Sequence, residues 1–328
     1  MYLLGASVFR FFRFSSPKAR LMYGQHVLSV AQITDSDIKL LFTYADHLAK
    51  MKSKEYFDVL RGKTLACVFY EPSTRTSSSF IAAMQKLGGN VIPITQGVQF
   101  SSVSKGETLE DTIMTLGQYA DAIVLRHPET GSVQRAAQVS PVPIINAGDG
   151  IGEHPTQAVL DLYTIQREVG RLENLHVAFV GDLAYGRTVH SLLKLLTRYA
   201  GVRFSLVSPE KLRLGFPLPR EVMAEEVIVR EGLHEAQDVL ADADVVYMTR
   251  VQKERFPSLE AYEEVKNSCL LTSSLVEAMR TTARILHPLP RVNEIPREID
   301  TDRRAAYFRQ VKNGLWVRMA ILAAIFGQ

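Results

Sequence analysis

Leu65-Ala66-Cys67-Val68-Phe69-Tyr70 runs directly into Glu71-Pro72-Ser73-Thr74-Arg75-Thr76-Ser77. The first stretch is continuously apolar and reads as a buried strand, and Ser78–Leu87 beyond it has a helical pattern. Pro72 restricts the backbone between them. Hydroxyls and free backbone N–H groups therefore gather at a helix N-terminus, where the helix dipole favours an anion. Arg75 adds a full charge and a planar fork that matches phosphate oxygens. Ser and Thr are also ordinary helix caps, but a cap needs one hydroxyl and no arginine. The run reads as an anion site at the end of a strand.

The same alternation continues along the chain. Strand-like runs are Leu65–Tyr70, Asn90–Ile94, Ala122–Leu125, Pro143–Asn146, His176–Val180, Arg203–Val207, Val245–Thr249 and Arg284–His287. Helical patterns occupy Glu107–Tyr119, Thr156–Val169, Arg187–Tyr199 and Pro219–Glu231. Strands alternating with helices predict an α/β fold with parallel sheets, which bind ligands at the carboxyl ends of their strands. With 328 residues the chain is expected to form two domains. Three glycines in Asn146–Gly152 mark the expected hinge. The apolar helical pattern Gly314–Phe326 is expected to fold back onto the first domain.

Composition narrows the function. Hydrophobic residues make up 46% and charged residues 22%, as in ordinary globular enzymes. A net charge of +3 gives no case for nucleic acid. No apolar run approaches the ~20 residues that a membrane span needs. The two cysteines, Cys67 and Cys269, have no metal-binding or disulfide spacing, which points to a reducing compartment. Residues 1–20 carry Arg10, Arg13, Lys18 and Arg20 with no acid. They read as an N-terminal extension, with organelle import as the alternative to a cytoplasmic location.

Further polar segments follow the strands. Arg126-His127-Pro128 closes one, and the alternative for Arg126 is an ion pair with a surface acid. His154-Pro155-Thr156-Gln157 opens a helix with Pro155 at its favoured first position. His154 and Gln157 can both donate to a carbonyl oxygen. Arg250 and Gln252, two apart after the strand Val245–Thr249, would share a face of an extended segment. With Arg187 they could hold two carboxylates. His287-Pro288-Leu289-Pro290-Arg291 is a rigid turn able to aim carbonyl groups at an amine. Ser101–Glu107 alone reads as a polar surface loop with one lysine. Gly181-Asp182-Leu183-Ala184-Tyr185-Gly186-Arg187-Thr188 has P-loop spacing, with Arg187 replacing lysine. A nucleotide-binding reading also needs a magnesium-holding acid after an apolar strand, and Arg250 stands there instead.

Ser73–Thr76, Arg126–Pro128, His154–Gln157 and His287–Pro290 together resemble the aspartate/ornithine carbamoyltransferases. The similarity runs from about Gln25 to Phe326 with the motifs in order. The Met248–Arg255 segment and Pro288, where the ornithine branch typically has cysteine, resemble the aspartate branch. The resemblance implies two doubly wound parallel-sheet domains with a cleft between them and a C-terminal helix returning to the first. The expected boundaries are 1–20 for the extension, 21–152 with 314–328 for a carbamoyl phosphate domain, and 153–313 for an aspartate domain.

It also implies roles. Ser73, Thr74, Arg75 and Thr76 would bind the phosphate of carbamoyl phosphate. Thr76, Arg126 and His154 would polarise its carbonyl, and Gln157 would lie near its nitrogen. Leu289 and Pro290 would complete that site, with Leu289 offering its carbonyl. Arg187, Arg250 and Gln252 would bind the carboxylates of L-aspartate. Ser101 and Lys105 match residues that the family donates to a neighbouring subunit's site, which implies a homotrimer. No metal or cofactor is implied, regulatory chains are left open as partners, and the length fits one catalytic unit without a fused synthetase or dihydroorotase. Glu71 is expected to pair with an arginine across the cleft in the closed state. Ala184 departs from a bacterial catalytic chain with lysine there, which removes any ion pair made by that lysine.

Overall fold

Six residues, Thr64–Phe69, form β1, buried at every position after the first. The computed structural model describes residues 22–95, 102–215, 227–230, 233, 236–252, 256 and 258–328; the N-terminal extension lies outside them. These residues fall into two compact units. One ends at Thr156 and takes in Asn313–Gln328, and the other is Gln157–Lys312.

The first unit holds a four-stranded parallel sheet in the order β2-β1-β3-β4, with β2 at Asn90–Ile94, β3 at Ala122–His127 and β4 at Ile144–Asp149. Helices α1 (Asp35–Lys50), α2 (Thr74–Lys86), α3 (Leu109–Leu116) and α4 (Ser132–Val139) belong to this unit. Thr34 and Asp37 cap α1 reciprocally, the Asp37 N–H donating to the Thr34 hydroxyl and the Thr34 N–H to the Asp37 carboxylate. Ala66 and Val68 of β1, Ile123 and Leu125 of β3, and Leu109, Ile113, Val133 and Ala136 from α3 and α4 form one core. Period-two alternation sends those strand residues to one face.

The second unit holds a five-stranded parallel sheet in the order β7-β6-β5-β8-β9. Its strands are β5 His176–Val180, β6 Arg203–Val207, β7 Val227–Arg230, β8 Val245–Met248 and β9 Arg284–Leu286. Helix α5 (Pro155–Val169) leads into this unit and α6 (Arg187–Leu196) follows β5. The helix expected at Pro219–Glu231 is corrected where the structure describes it: Val227–Arg230 is an edge strand in parallel register with β6. Val227-Ile228-Val229 are β-branched in succession, which favours a strand over a helix. Residues 219–226 and 231 lie outside the described residues.

Two other elements differ in extent from the sequence reading. Helix α2 starts at Thr74 rather than Ser78, so Thr74–Ser77 form its first turn and Ser73 is its N-cap. Strand β4 continues through Ala147-Gly148-Asp149, the stretch expected to be a hinge. There the Asn146 side chain accepts from the Gly148 N–H and donates to the Leu28 carbonyl.

The last helix, α7 (Tyr307–Ile325), begins seven residues before the expected Gly314. From Asn313 onward it belongs to the first unit. There Trp316 packs edge-on against Tyr56 at 6.4 Å, Arg318 lies over the Phe80 ring, and the Gly24 N–H donates to the Ile325 carbonyl. No described helix is long and apolar enough to cross a membrane.

Candidate active site

Each sheet reverses its winding direction at one point, and several candidate residues lie at these reversals. In the first unit the reversal lies between β1 and β3, which run in register with Phe69 beside Arg126. Such a reversal leaves a crevice beyond the strands' carboxyl ends, because the flanking connections depart to opposite sides. β1 delivers Glu71–Thr76 to that edge and β3 delivers Arg126.

Ser73 is the N-cap residue of α2, yet its side chain makes no capping hydrogen bond. The hydroxyl is not spent on the cap, as an anion site requires. Thr74 and Arg75 are exposed in the first turn, and Thr76 behind them is buried. The Ser77 and Ser79 hydroxyls turn back to the carbonyls of Ser73 and Thr76.

Arg126 lies within β3 rather than beyond its end, and its carbonyl accepts from the Tyr70 N–H. Its guanidinium pairs with Glu71 at 2.9 Å. Glu71 thus meets an arginine of its own unit. Adjacent strands bring the two together. Beside them the Gly150 N–H donates to the His127 carbonyl, which ties the end of β4 to the end of β3. From there Gly152 and Glu153 lead to His154, which is buried, with its Nδ1 3.4 Å from the Thr156 hydroxyl. The carboxyl ends of three adjacent strands therefore supply Arg75, Arg126 and His154. Lys105 ends the short turn Ser102–Lys105 and is exposed; Ser101 lies outside the described residues.

In the second unit the reversal lies between β5 and β8. β5 leads into Gly181–Arg187 and β8 into Thr249–Gln252. Gly181 has φ +112°, and a Cβ there would stand 2.3 Å from the Thr249 carbonyl oxygen. Only glycine permits that approach. Asp182 is buried, and its carboxylate ties the loops together. It accepts from the Tyr185 N–H at 2.9 Å and from Gln252 Nε2 at 3.2 Å. Burial raises its pKa, and those two hydrogen bonds oppose the rise. Arg187 is the first residue of α6, and Arg250 is half-buried just past β8. Gln252, expected to face a carboxylate, has its amide nitrogen on Asp182 and near the Tyr185 carbonyl.

The P-loop alternative fails on this geometry. A phosphate cradle turns its backbone N–H groups toward the ligand. Here the Leu183 and Ala184 N–H groups both donate to the Leu212 carbonyl, that of Tyr185 to Asp182, and that of Arg187 to the Tyr185 carbonyl.

β9 leads into His287–Pro290. The Leu289–Pro290 bond is cis, and Leu289 itself has φ +58°, a conformation that costs a branched residue energy. The Leu289 N–H donates to His287 Nδ1 at 2.7 Å, and His287 Nε2 meets Glu294 at 2.7 Å. Gln157 on α5 is buried and donates to Asp161. Sequence reasoning assigns no role to Asp161, Asp182 or Glu294. Asp161 stands four residues after Gln157, a same-face helical spacing that is a usable signal.

The carbamoyl phosphate-binding domain model of the aspartate/ornithine carbamoyltransferases matches residues 25–167, and the aspartate/ornithine-binding domain model matches 173–325. The chain is 50% identical over 301 residues to the multifunctional protein pyr-3 of Neurospora crassa, covering 92% of this chain and 16% of that protein. It spans a similarly small part, 14%, of the multifunctional protein URA2 of Saccharomyces cerevisiae, at 49% identity. Aspartate transcarbamoylase from Trypanosoma cruzi, solved with N-(phosphonacetyl)-L-aspartic acid, matches with TM-score 0.84 and 39% identity, covering 94% of this chain and 97% of that one. The catalytic subunit of M. jannaschii aspartate transcarbamoylase matches with TM-score 0.82 and 46% identity over 92% of this chain and 97% of that one. With both of its domain models matched, one after the other along the chain, the protein belongs to the aspartate/ornithine carbamoyltransferase family.

Proposed function

We propose that this chain transfers the carbamoyl group of carbamoyl phosphate to the amine of L-aspartate, giving N-carbamoyl-L-aspartate and phosphate, a step of pyrimidine synthesis. The observation that carries the reading is the Ser73–Thr76 turn, which opens α2 at the carboxyl end of β1 beside Arg126. The Trypanosoma cruzi enzyme solved with carbamoyl phosphate and aspartate, 38% identical, supports the same substrates here.

Ser73, Thr74, Arg75 and Thr76 hold the phosphate, where helix N–H groups and a guanidinium offset its charge. Thr76, Arg126 and His154 donate to the carbamoyl oxygen. The deprotonated aspartate amine attacks the carbamoyl carbon, and charge builds on that oxygen. Donors fixed in advance stabilise it without reorganising. The C–O bond to phosphate then breaks, its electron pair leaves with the phosphate, and the attacking nitrogen gives up a proton to the departing phosphate. Arg187 and Arg250 bind the aspartate carboxylates. Gln252 joins them once its amide turns from Asp182. The same two cations repel the side-chain ammonium of ornithine. Leu289 and Gln157 face the carbamoyl nitrogen.

The assembly in this reading is a homotrimer in which Ser101 and Lys105 enter a neighbour's site, in the cytoplasm, with regulatory chains as further partners. Burial pushes the Cys67 thiol up to about 12 and the Cys269 thiol up to about 11, in keeping with unreactive core cysteines.

A product assay with carbamoyl phosphate tests the reading, with L-aspartate and L-ornithine offered separately. Carbamoyl aspartate with released phosphate and no citrulline is expected. Citrulline would overturn the acceptor assignment, and no product from folded protein would overturn the activity. Arg250→Ala should raise the aspartate KM at least about tenfold, the loss of one charge-assisted contact. An unchanged KM would remove Arg250 from the site.

A further inference from the structure

A buried chain of hydrogen bonds within the second unit joins two groups that the proposed function sets against the carbamoyl nitrogen. Asp161 on α5 is fully buried. Its Oδ1 accepts from Gln157 Nε2 at 2.9 Å and from Gln310 Nε2 at 2.6 Å. Its Oδ2 accepts from the Tyr247 hydroxyl at 2.7 Å. Gln310 continues the chain, since its Oε1 accepts from the His287 N–H at 2.9 Å. His287 Nδ1 in turn accepts from the Leu289 N–H, and Nε2 meets Glu294. The second Glu294 oxygen accepts the N–H groups of Val292 and Asn293.

Each link has a chemical direction. A carboxylate only accepts, so both glutamines must present Nε2 to Asp161. That fixes the Gln157 amide with its oxygen as the atom left for a ligand. It also fixes Gln310 with its oxygen toward His287. A ring nitrogen that accepts from Leu289 carries no proton, so the other ring nitrogen donates to Glu294. The outcome is two oriented acceptors, Gln157 Oε1 and the Leu289 carbonyl. A carbamoyl NH2 has two N–H donors, and a methyl group in its place has none.

We propose that Asp161 is the positioning residue that makes this site select an NH2 group: it orients Gln157 directly and the Leu289 turn through Gln310 and His287. The inference rests on the carbamoyl phosphate reading above. It adds a specificity determinant that touches no substrate. Truncating Asp161 lets the Gln157 amide rotate and removes the anchor of Gln310. Recognition of the NH2 should then fade while phosphate binding by the first unit persists.

Two analogues of the same shape isolate that recognition. Phosphonoacetamide carries the NH2, and acetonylphosphonate carries a methyl group instead. Titration calorimetry on the full chain gives a Kd for each. In the unaltered protein the amide is expected to bind at least about tenfold tighter, because a site built to accept N–H rejects an analogue without it. In Asp161→Ala that ratio should fall to within about twofold of unity, through weaker amide binding alone. Asp161→Asn keeps an acceptor oxygen and should restore most of the ratio. Tyr247→Phe removes a hydroxyl from Oδ2 and should lower the melting temperature without changing the ratio.

An unchanged ratio in folded Asp161→Ala would overturn the proposal, as would equal weakening of both analogues. If that variant does not fold, Gln310→Met decides: it must lower the ratio at least about threefold, and an unchanged ratio overturns the proposal. A protein that makes carbamoyl aspartate but binds both analogues alike overturns this inference alone. A protein that makes no carbamoyl aspartate and binds neither overturns the functional reading with it.

Discussion

Arg126 is oriented by the fold itself. Its carbonyl is taken by Tyr70, and its guanidinium meets Glu71 at 2.9 Å in a partly shielded pair. An arginine held this way is preorganised to donate to a developing oxyanion. Arg126→Ala should therefore lower kcat about 10²- to 10³-fold. Arg126→Lys should rescue little, since an ammonium cannot reproduce the planar fork. Steady-state kinetics check both, and a near-normal Lys variant would show that only charge is needed. The next residue sets a pH dependence. His127 Nδ1 accepts from the Glu129 N–H at 3.1 Å and contacts the Ser132 hydroxyl at 2.9 Å, and the ring lies on Tyr70. Burial lowers its pKa below the ordinary 6.5, against the opposing charges of Glu129 and Asp149. The unfolded chain therefore takes up the proton first as pH falls. Stability from this group is whole above pH 6.5 and declines as pH drops from there through the lower folded value. Melting temperatures from about pH 7.5 to pH 5 should fall less steeply in His127→Asn, which keeps an acceptor but does not titrate. Parallel slopes would assign the acid sensitivity to other groups.

The loops after β5 and β8 depend on how closely Gly181 approaches Thr249. Gly181→Ala meets both a positive φ and the Thr249 carbonyl at 2.3 Å. It should cost about 3 kcal/mol or more. Gly170→Ala, at φ +88° with nothing within 4 Å of the added Cβ, should cost only about 1 kcal/mol. Denaturant unfolding compares the two, and equal losses would mean that the close approach is not what fixes the turn. The spacing of glycines makes this loop visible in sequence but leaves its role ambiguous, because a P-loop has the same spacing. Arg250 in place of a magnesium-holding acid argues against the P-loop in sequence, and the destinations of the Leu183, Ala184 and Tyr185 N–H groups argue against it in structure. The buried strands are legible because short, continuously apolar runs bounded by polar turns suit the middle of a parallel sheet, covered on both faces, better than a helix. β7 is not, since Val227–Arg230 ends a stretch that also suits a helix, and pairing with β6 selects the strand. The candidate residues Arg75, Arg126 and His154 stand out in the sequence because each lies at or soon after the carboxyl end of an apolar strand. Gln310 cannot, for it meets Asp161 across 149 positions of sequence.

At the scale of the whole molecule, the proposed assembly makes a quantitative claim. Arg75 stands on the first turn of α2, and Lys105 on a separate exposed turn. If Lys105 serves a neighbour's site, each site draws on two chains, and neither Arg75→Ala nor Lys105→Gln alone has a complete one. In a ring of three mixed from equal parts of both variants, each site pairs one chain's Arg75 with the next chain's Lys105. Random mixing then leaves about a quarter of the sites with both native residues. Activity should rise from near zero in either variant to roughly a quarter of the unaltered protein's after subunits exchange. Unfolding and refolding the variants together, with the oligomer checked by light scattering, ensures that exchange has occurred. Sites contained within single chains would regain nothing, because every chain in the mixture carries one inactivating change. Recovery near a quarter would assign Lys105 to the neighbour, and its absence in a verified mixed oligomer would return Lys105 to its own chain.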